Sequence, residues 1–206
     1  RDTVHVAPVT ADSFRMDIRS ERARAMYVLP NELITQEVIL PVKTKDGDVV
    51  LGDDLNKLAV VERHFASGNT GLALVKGYGL HGGAIGISVA HDSHNLVVLG
   101  DDNAAMARVV ELLRTAGGGM ALVYGETEEV FPLDVAGLMS SASCEEVAQK
   151  TAHIAARARR MGVKEGYDPF MTLAFLALPV IPHLKLTDRG LFDVDAFRFT
   201  TTEAEE

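Results

Sequence analysis

The stretch DDNAAMARVVELLRTAGGGMALVYG, Asp101 to Gly125, restricts the possible folds of this chain more than any other. Asp101, Asp102 and Asn103 offer N-cap oxygens and favourable charge at a helix start. Met106, Val109, Val110 and Leu113 then recur at i, i+3, i+4 and i+7, while Arg108, Glu111 and Arg114 face away. Gly117 to Gly119 stop the helix, because glycine enters the left-handed conformation of a C-terminal cap without penalty. Met120 to Gly125 reads as a strand. Upstream, AIGISVA (Ala84 to Ala90) alternates Ile85, Ile87 and Val89 with Gly86, Ser88 and Ala90, the period of a strand. Its small-residue face leaves room for close packing by another layer. Leu96 to Gly100 is a second short strand, so strand, helix, glycine turn and strand form a βαβ-like unit.

The rest of the chain fills in around that unit. Met26 to Pro41 is extended, with Pro30 and Pro41 acting against a long helix. Asp46-Gly47 sits between apolar flanks as a hairpin turn. Leu58 to His64 and Gly71 to Leu80 form a strand pair joined by FASGNT. Ser143 and Glu146 predict a capping box. Behind them a stripe of Val147, Thr151, Ile154, Ala158 and Met161 is closed by Gly162. Asp168 to Pro182 predicts a buried helix from Pro169 to near Pro179, and Asp188 to Gly190 a turn.

Strands cluster in the first half, and helices alternate with strands afterwards. The pattern predicts an α+β layered domain with a mixed, largely antiparallel sheet packed by helices, not a doubly wound parallel sheet. The expected organisation is a lead-in over 1–25 from an upstream region, a domain over 26–198, and a polar, frayed tail over 199–206.

Composition narrows the function. The 206 residues carry a net charge of −9, with 29 acidic against 20 basic side chains. That balance opposes nucleic-acid binding, which needs a basic surface to displace counterions. The basic run Arg157 to Arg160 reads as the solvated face of a helix. No apolar run approaches the roughly 20 residues that cross a bilayer, and the charged N-terminus lacks a signal-peptide core. A membrane partner is therefore not expected. The single cysteine, Cys144, excludes an intrachain disulfide and a multi-cysteine metal site, and fits a reducing cytoplasm. Because the chain begins at Arg1, a fragment of a longer protein is expected.

Among candidate chemistry, HDSHN (His91, Asp92, Ser93, His94 and Asn95) stands out as a polar cluster between two strands. Histidines three apart could share a metal with Asp92. Equally, His94 oriented by Asp92 could act as a general base. The plainer reading is a loop tip of turn-forming side chains that bond their own backbone. Glu62, Arg63 and His64 end a strand, either as a charged pocket rim or as a strand emerging into solvent. HGGAIG (His81 to Gly86) matches neither a P-loop nor a dinucleotide fingerprint. The Gly117–Gly119 amides follow a helix and are poorly placed for phosphate. GxSxG, HExxH and HxH motifs are absent.

Four blocks carry a resemblance: LAVVERHFASGNTGLALVKGYGL, GGAIGISVAHDSHNLVVLG, PLDVAGLMS and DPFMTLAFLALPVIPHLKLTDRGLFDV. In order and content they resemble the C-terminal domain of bacterial and archaeal adenine deaminases, of the amidohydrolase superfamily, over about Met26 to Phe197. The resemblance implies hydrolytic deamination of adenine to hypoxanthine and ammonia. It also implies an N-terminal metal-binding barrel, absent from this chain, that holds a divalent metal (manganese or iron). Such a barrel needs about 250 residues. Adenine, the chain's own N-terminal barrel and further copies in a homo-oligomer are the partners implied. Asp92 and His94 become accessory catalytic candidates, His91, Ser93, Asn95, Glu62 and His64 pocket candidates, and no metal ligand is assigned here. One departure stands at YGLHGGAIG, where a basic residue is expected near His81 or Gly82. The alternatives are a non-catalytic packing or oligomerisation module and a free-standing purine-binding module.

Overall fold

The computed structural model describes residues 2–204. In chain order the strands and helices are β1 (Arg22–Val28), β2 (Thr35–Pro41), β3 (Thr44–Lys45), β4 (Asp48–Val49), β5 (Leu55–Val61), β6 (Thr70–Lys76), β7 (Gly83–Ile87), β8 (Leu96–Gly100), α1 (Asn103–Ala116), β9 (Gly119–Tyr124), β10 (Thr127–Pro132), α2 (Cys144–Arg160), α3 (Met171–Leu176), β11 (Leu184–Thr187), β12 (Gly190–Asp193) and β13 (Arg198–Phe199). Eight strands form the main sheet in the order β10-β9-β7-β8-β5-β6-β1-β2. Its pairings are antiparallel except β1 with β6. The domain is therefore α+β, with a mixed, mostly antiparallel sheet.

The central strands are buried on both faces, which makes them near-continuous apolar runs. On one face Leu58, Val60, Ile85, Ile87 and Leu99 pack against Ile154 and Ala158 of α2, Leu173 of α3 and Leu186 of β11. On the other, Ala59, Val61, Val98 and Ala121 pack under Met106, Val109, Val110 and Leu113 of α1. α1 begins and ends as its sequence dictates. Asp102 accepts from the Ala105 amide, and Gly117 closes the helix at φ 74°. β8 and β9 both run antiparallel to β7, which lies between them, so β8–α1–β9 is a split βαβ unit. Gly86 is what lets α1 approach, since a Cβ there would lie 2.6 Å from Val109 Cγ1.

Three expectations are corrected. At α2, Ser143 accepts from the Glu146 amide, but the Glu146 carboxylate pairs with Lys150 one turn on, so the box is only half formed. α3 is shorter than expected and starts at Met171. Asp168 accepts from the Phe170 and Met171 amides, and Pro179 disfavours helical backbone at the residue before it. The tail is not frayed as far as Ala204. Arg198–Phe199 pairs with β12, Arg24 donates its amide to Thr202, and Glu203 bridges Ala23. Glu205 and Glu206 lie outside the described residues.

The lead-in also packs on the sheet. Val4, Val6 and Phe14 join the α1-side core, and Met16 and Ile18 a third cluster with Ala23, Ala25 and Leu74. The buried Lys57 ammonium binds the Phe14 carbonyl, the Asp48 carboxylate and the Asn103 side chain together. Lys185, fully buried on β11, donates to the Leu33 carbonyl, and burial pushes its amine down to about 8.

Candidate functional site

The antiparallel pairings place four connections at one end of the sheet: the one between β5 and β6, the one between β7 and β8, the α1–β9 turn, and the loop after β10. His91 to Asn95 lie on the second of these, at the tip of the β7–β8 hairpin. Ser88, fully buried, ties three of them together. Its hydroxyl accepts from the Gly119 amide and donates to the Gly137 carbonyl.

Within the loop, Asp92 and Ser93 are exposed, His91 and His94 half-buried, and Asn95 buried. His94 sits at φ 52°. Its amide donates to the Ala90 carbonyl at 2.6 Å, while its Nδ1 accepts from the Ala90 amide at 3.4 Å. The His91 and His94 rings meet edge-on at 5.9 Å, and His91 leans on Phe175 of α3 at 5.9 Å. The Ser93 hydroxyl accepts from the Asn95 amide, so part of the loop does bond its own backbone. The rest is held from outside. Asn95 Oδ1 accepts from the Arg63 amide at 3.3 Å, and His64 Nε2 bonds the Ser93 carbonyl at 2.7 Å. A carbonyl can only accept, so that nitrogen carries a proton.

His64 thus joins the HDSHN group directly, whereas Glu62 turns away from it. The Glu62 carboxylate accepts from the His64, Phe65 and Ser67 amides and from the Ser67 hydroxyl. Burial works to raise its carboxyl, but those donors outweigh it and hold the group below the usual glutamate range. The strand does not emerge into solvent here, because Glu62 is only 7% exposed and Arg63 only 2%. Arg63, read from the sequence only as one member of a charged strand end, was not among the site candidates. Arg63 continues, two residues past the end of β5, the alternation of Ala59 and Val61 on the inward, α1-side row, and that was the signal available. Its Nη2 donates to the Ala136 carbonyl at 3.3 Å. Gly137 leaves it room, since a Cβ there would lie 2.5 Å from Nη1.

His94 is held below the ordinary histidine range, by burial first and then by Arg63 and His91, with Asp92 opposing. In accepting from the Ala90 amide, its Nδ1 uses a lone pair and carries no proton. Among the described residues, no group of three or more His, Cys, Asp or Glu is arranged to hold a metal. What the arrangement offers is an exposed carboxylate and hydroxyl, two imidazoles in mutual contact and a third bonded to the same loop. That is a set of hydrogen-bonding groups on a buried, rigid base. Around it Phe65 is 87% exposed and Met139 61% exposed at the same end of the sheet.

Such a fold and site define a domain that presents a polar hairpin loop, with exposed Phe65 and Met139 at the same end of its sheet. Comparison with known proteins makes the class specific. The family model described as "Adenine deaminase C-terminal domain" matches residues 32–198, and the chain belongs to that family. It is 47% identical over 204 residues to an adenine deaminase of Nitratidesulfovibrio vulgaris (strain DP4), covering 98% of this chain and 36% of that protein. It is 45% identical over 192 residues to the adenine deaminase of Methanothrix thermoacetophila, covering 92% and 34% respectively. With the adenine deaminase of Listeria monocytogenes serotype 4b it shares 41% identity over 199 residues, or 95% and 34% of the two chains. The chain spans about a third of the length of these relatives. No described helix is long and apolar enough to cross a membrane.

Proposed function

We propose that this chain acts as the C-terminal part of an adenine deaminase, in the hydrolytic conversion of adenine to hypoxanthine and ammonia. The observation that carries the reading is the family match across 32–198, in a chain covering about a third of proteins named adenine deaminase. The catalytic barrel with its divalent metal, manganese or iron, is assigned to the part of such an enzyme outside this chain. The described residues do not fit a metal centre. In this reading the chain's own work is recognition and closure. Asp92 and His94 reach the purine, with His91, Ser93, Asn95 and His64 forming the wall, while Glu62 shapes the turn beneath them. The cytoplasm is its proposed compartment, in keeping with the exposed free thiol of Cys144.

The test is kinetic. In the deaminase carrying this domain, Asp92→Ala and His94→Ala each lower kcat/KM by at least roughly tenfold, about 1.4 kcal/mol of transition-state stabilisation. Unchanged kinetics in folded variants would remove the recognition role. The isolated chain, supplied with manganese or iron, forms no hypoxanthine. A second reading, a packing module that builds a homo-oligomer, is favoured by the exposed Phe65 and Met139, since apolar side chains grouped at one end mark a covered surface. Under that reading the Asp92 and His94 variants keep full activity, and Phe65→Ser shifts the oligomeric state.

A further inference from the structure

Phe65 is the most exposed of the large apolar side chains among the described residues. Its loop holds it there firmly. The Phe65 amide donates to Glu62 Oε1 at 2.9 Å, and the Ser67 amide and hydroxyl both donate to Oε2. Ala66 between them is held at φ 51°, a conformation that L-residues seldom enter. A ring kept in water by so ordered a turn gains nothing from packing inside this domain. Exposed apolar side chains grouped in this way mark interfaces, where aromatic residues are enriched. The surface continues beyond the ring. Arg63, two residues earlier, donates to the Ala136 carbonyl, in a turn that Val135 and Met139 close through two backbone bonds at 2.9 and 3.1 Å. Both of those side chains are exposed.

The path of the chain says what covers this surface. His5 donates its amide to the Arg63 carbonyl at 2.7 Å and accepts from the Ala66 amide at 3.0 Å, so Phe65 lies between the two bonds that fasten the N-terminal segment. Val4 and Val6 on either side of His5 are buried in the α1-side core. Polypeptide joined ahead of Asp2 therefore sets out within three residues of His5, at most roughly 11 Å along the chain. The deaminases of Nitratidesulfovibrio vulgaris and Methanothrix thermoacetophila extend far beyond this chain, which covers 36% and 34% of them, and the family model is that of their C-terminal domain. We propose that Phe65, with Val135 and Met139, is the docking surface for the region of the same polypeptide N-terminal to this chain. The inference rests on the reading that the chain is the C-terminal part of a deaminase. A second copy would have to reach the ring from solution, whereas the upstream region is tethered beside it at the high effective concentration of a short link.

The test uses the full-length deaminase that carries this domain, with photoreactive p-benzoylphenylalanine in place of Phe65. After irradiation the protein is separated by denaturing electrophoresis, digested and mapped by mass spectrometry. The expected crosslink runs at the mass of one chain and joins position 65 to a residue upstream of Arg1. A crosslinked species of twice that mass seats a second copy on the ring and overturns the proposal, as does a crosslink map confined to residues 2–206. Should the bulkier side chain prevent folding, limited proteolysis of Phe65→Ser and Phe65→Tyr decides. Ser is expected to speed cleavage just upstream of Val4 at least roughly tenfold, as the undocked population rises, and Tyr to return it to near the native rate. Unchanged cleavage with Ser overturns the proposal. Hypoxanthine formation by the unsubstituted protein keeps the two readings apart. An intrachain crosslink in a protein that forms no hypoxanthine supports the docking surface and removes the deaminase reading. Hypoxanthine formation without that crosslink overturns the docking surface alone.

Discussion

At the scale of single residues, the candidate site is built by a few buried polar groups whose demands are met unequally. The Glu62 carboxylate receives four donors, whereas the Arg63 guanidinium donates to a single acceptor, the Ala136 carbonyl. That contrast was not legible in ERH, because three adjacent charges look alike until the strand's inward row is known. The Glu62 arrangement has a measurable consequence. Gln at this position presents an amide to amide donors and leaves some of them unmet, at about 1–3 kcal/mol. Since the Glu62 carboxyl lies below its usual value in the fold, its contribution is present above the unfolded glutamate range, near pH 4.3. It is lost as pH falls through the folded value. Denaturant titrations should therefore find Glu62→Gln less stable than wild type at pH 7, with the gap closing on acidification. A gap independent of pH would mean that the charge is not what the turn uses.

Elements were legible where their signals are local. α1 announced its cap, its stripe and its glycine stop within one segment, and all three hold. The small face of β7 was likewise readable, and the layer it admits is α1. What sequence could not supply is pairing between distant segments. The parallel contact of β1 with β6 and the return of Glu203 to Ala23 depend on long-range geometry that no local period encodes. The HDSHN loop was legible as a polar hairpin tip, while its fastening by His64 and Arg63 was not. Close packing at β7 gives a test at this scale. Gly86→Ala forces Val109 aside in a filled core, and such overpacking costs about 1–3 kcal/mol. Val109→Ala alone leaves a cavity and also destabilises. Combined, the two should cost less than their sum in a double-mutant cycle. Simple additivity would show that Gly86 and Val109 do not share that space.

For the molecule as a whole, the open question is what residues 2–20 contribute. They read as a lead-in, yet the chain winds them through the domain's second and third apolar clusters. Val4, Val6 and Phe14 cover the sheet beside α1, and Met16 and Ile18 cover the β1–β6 end. His5 donates to the Arg63 carbonyl at 2.7 Å and accepts from Ala66 at 3.0 Å, so the same segment buttresses the candidate site. The Phe14 carbonyl is also one of three partners of the buried Lys57 ammonium. Removing residues 2–20 would uncover those apolar faces together and strip Lys57 of a ligand. Burial is worth roughly 25 cal/mol per Å² of apolar area, and whole domains are stable by only about 5–15 kcal/mol. Loss of five buried apolar side chains, Phe14 completely enclosed among them, is then enough to abolish cooperative folding. The truncated chain should bind a hydrophobic dye, lose its sharp thermal transition and aggregate. A truncated chain that melts cooperatively near the wild-type temperature would instead make the lead-in an appendage, and leave the 62–69 loop to hold the His91–Asn95 site without it.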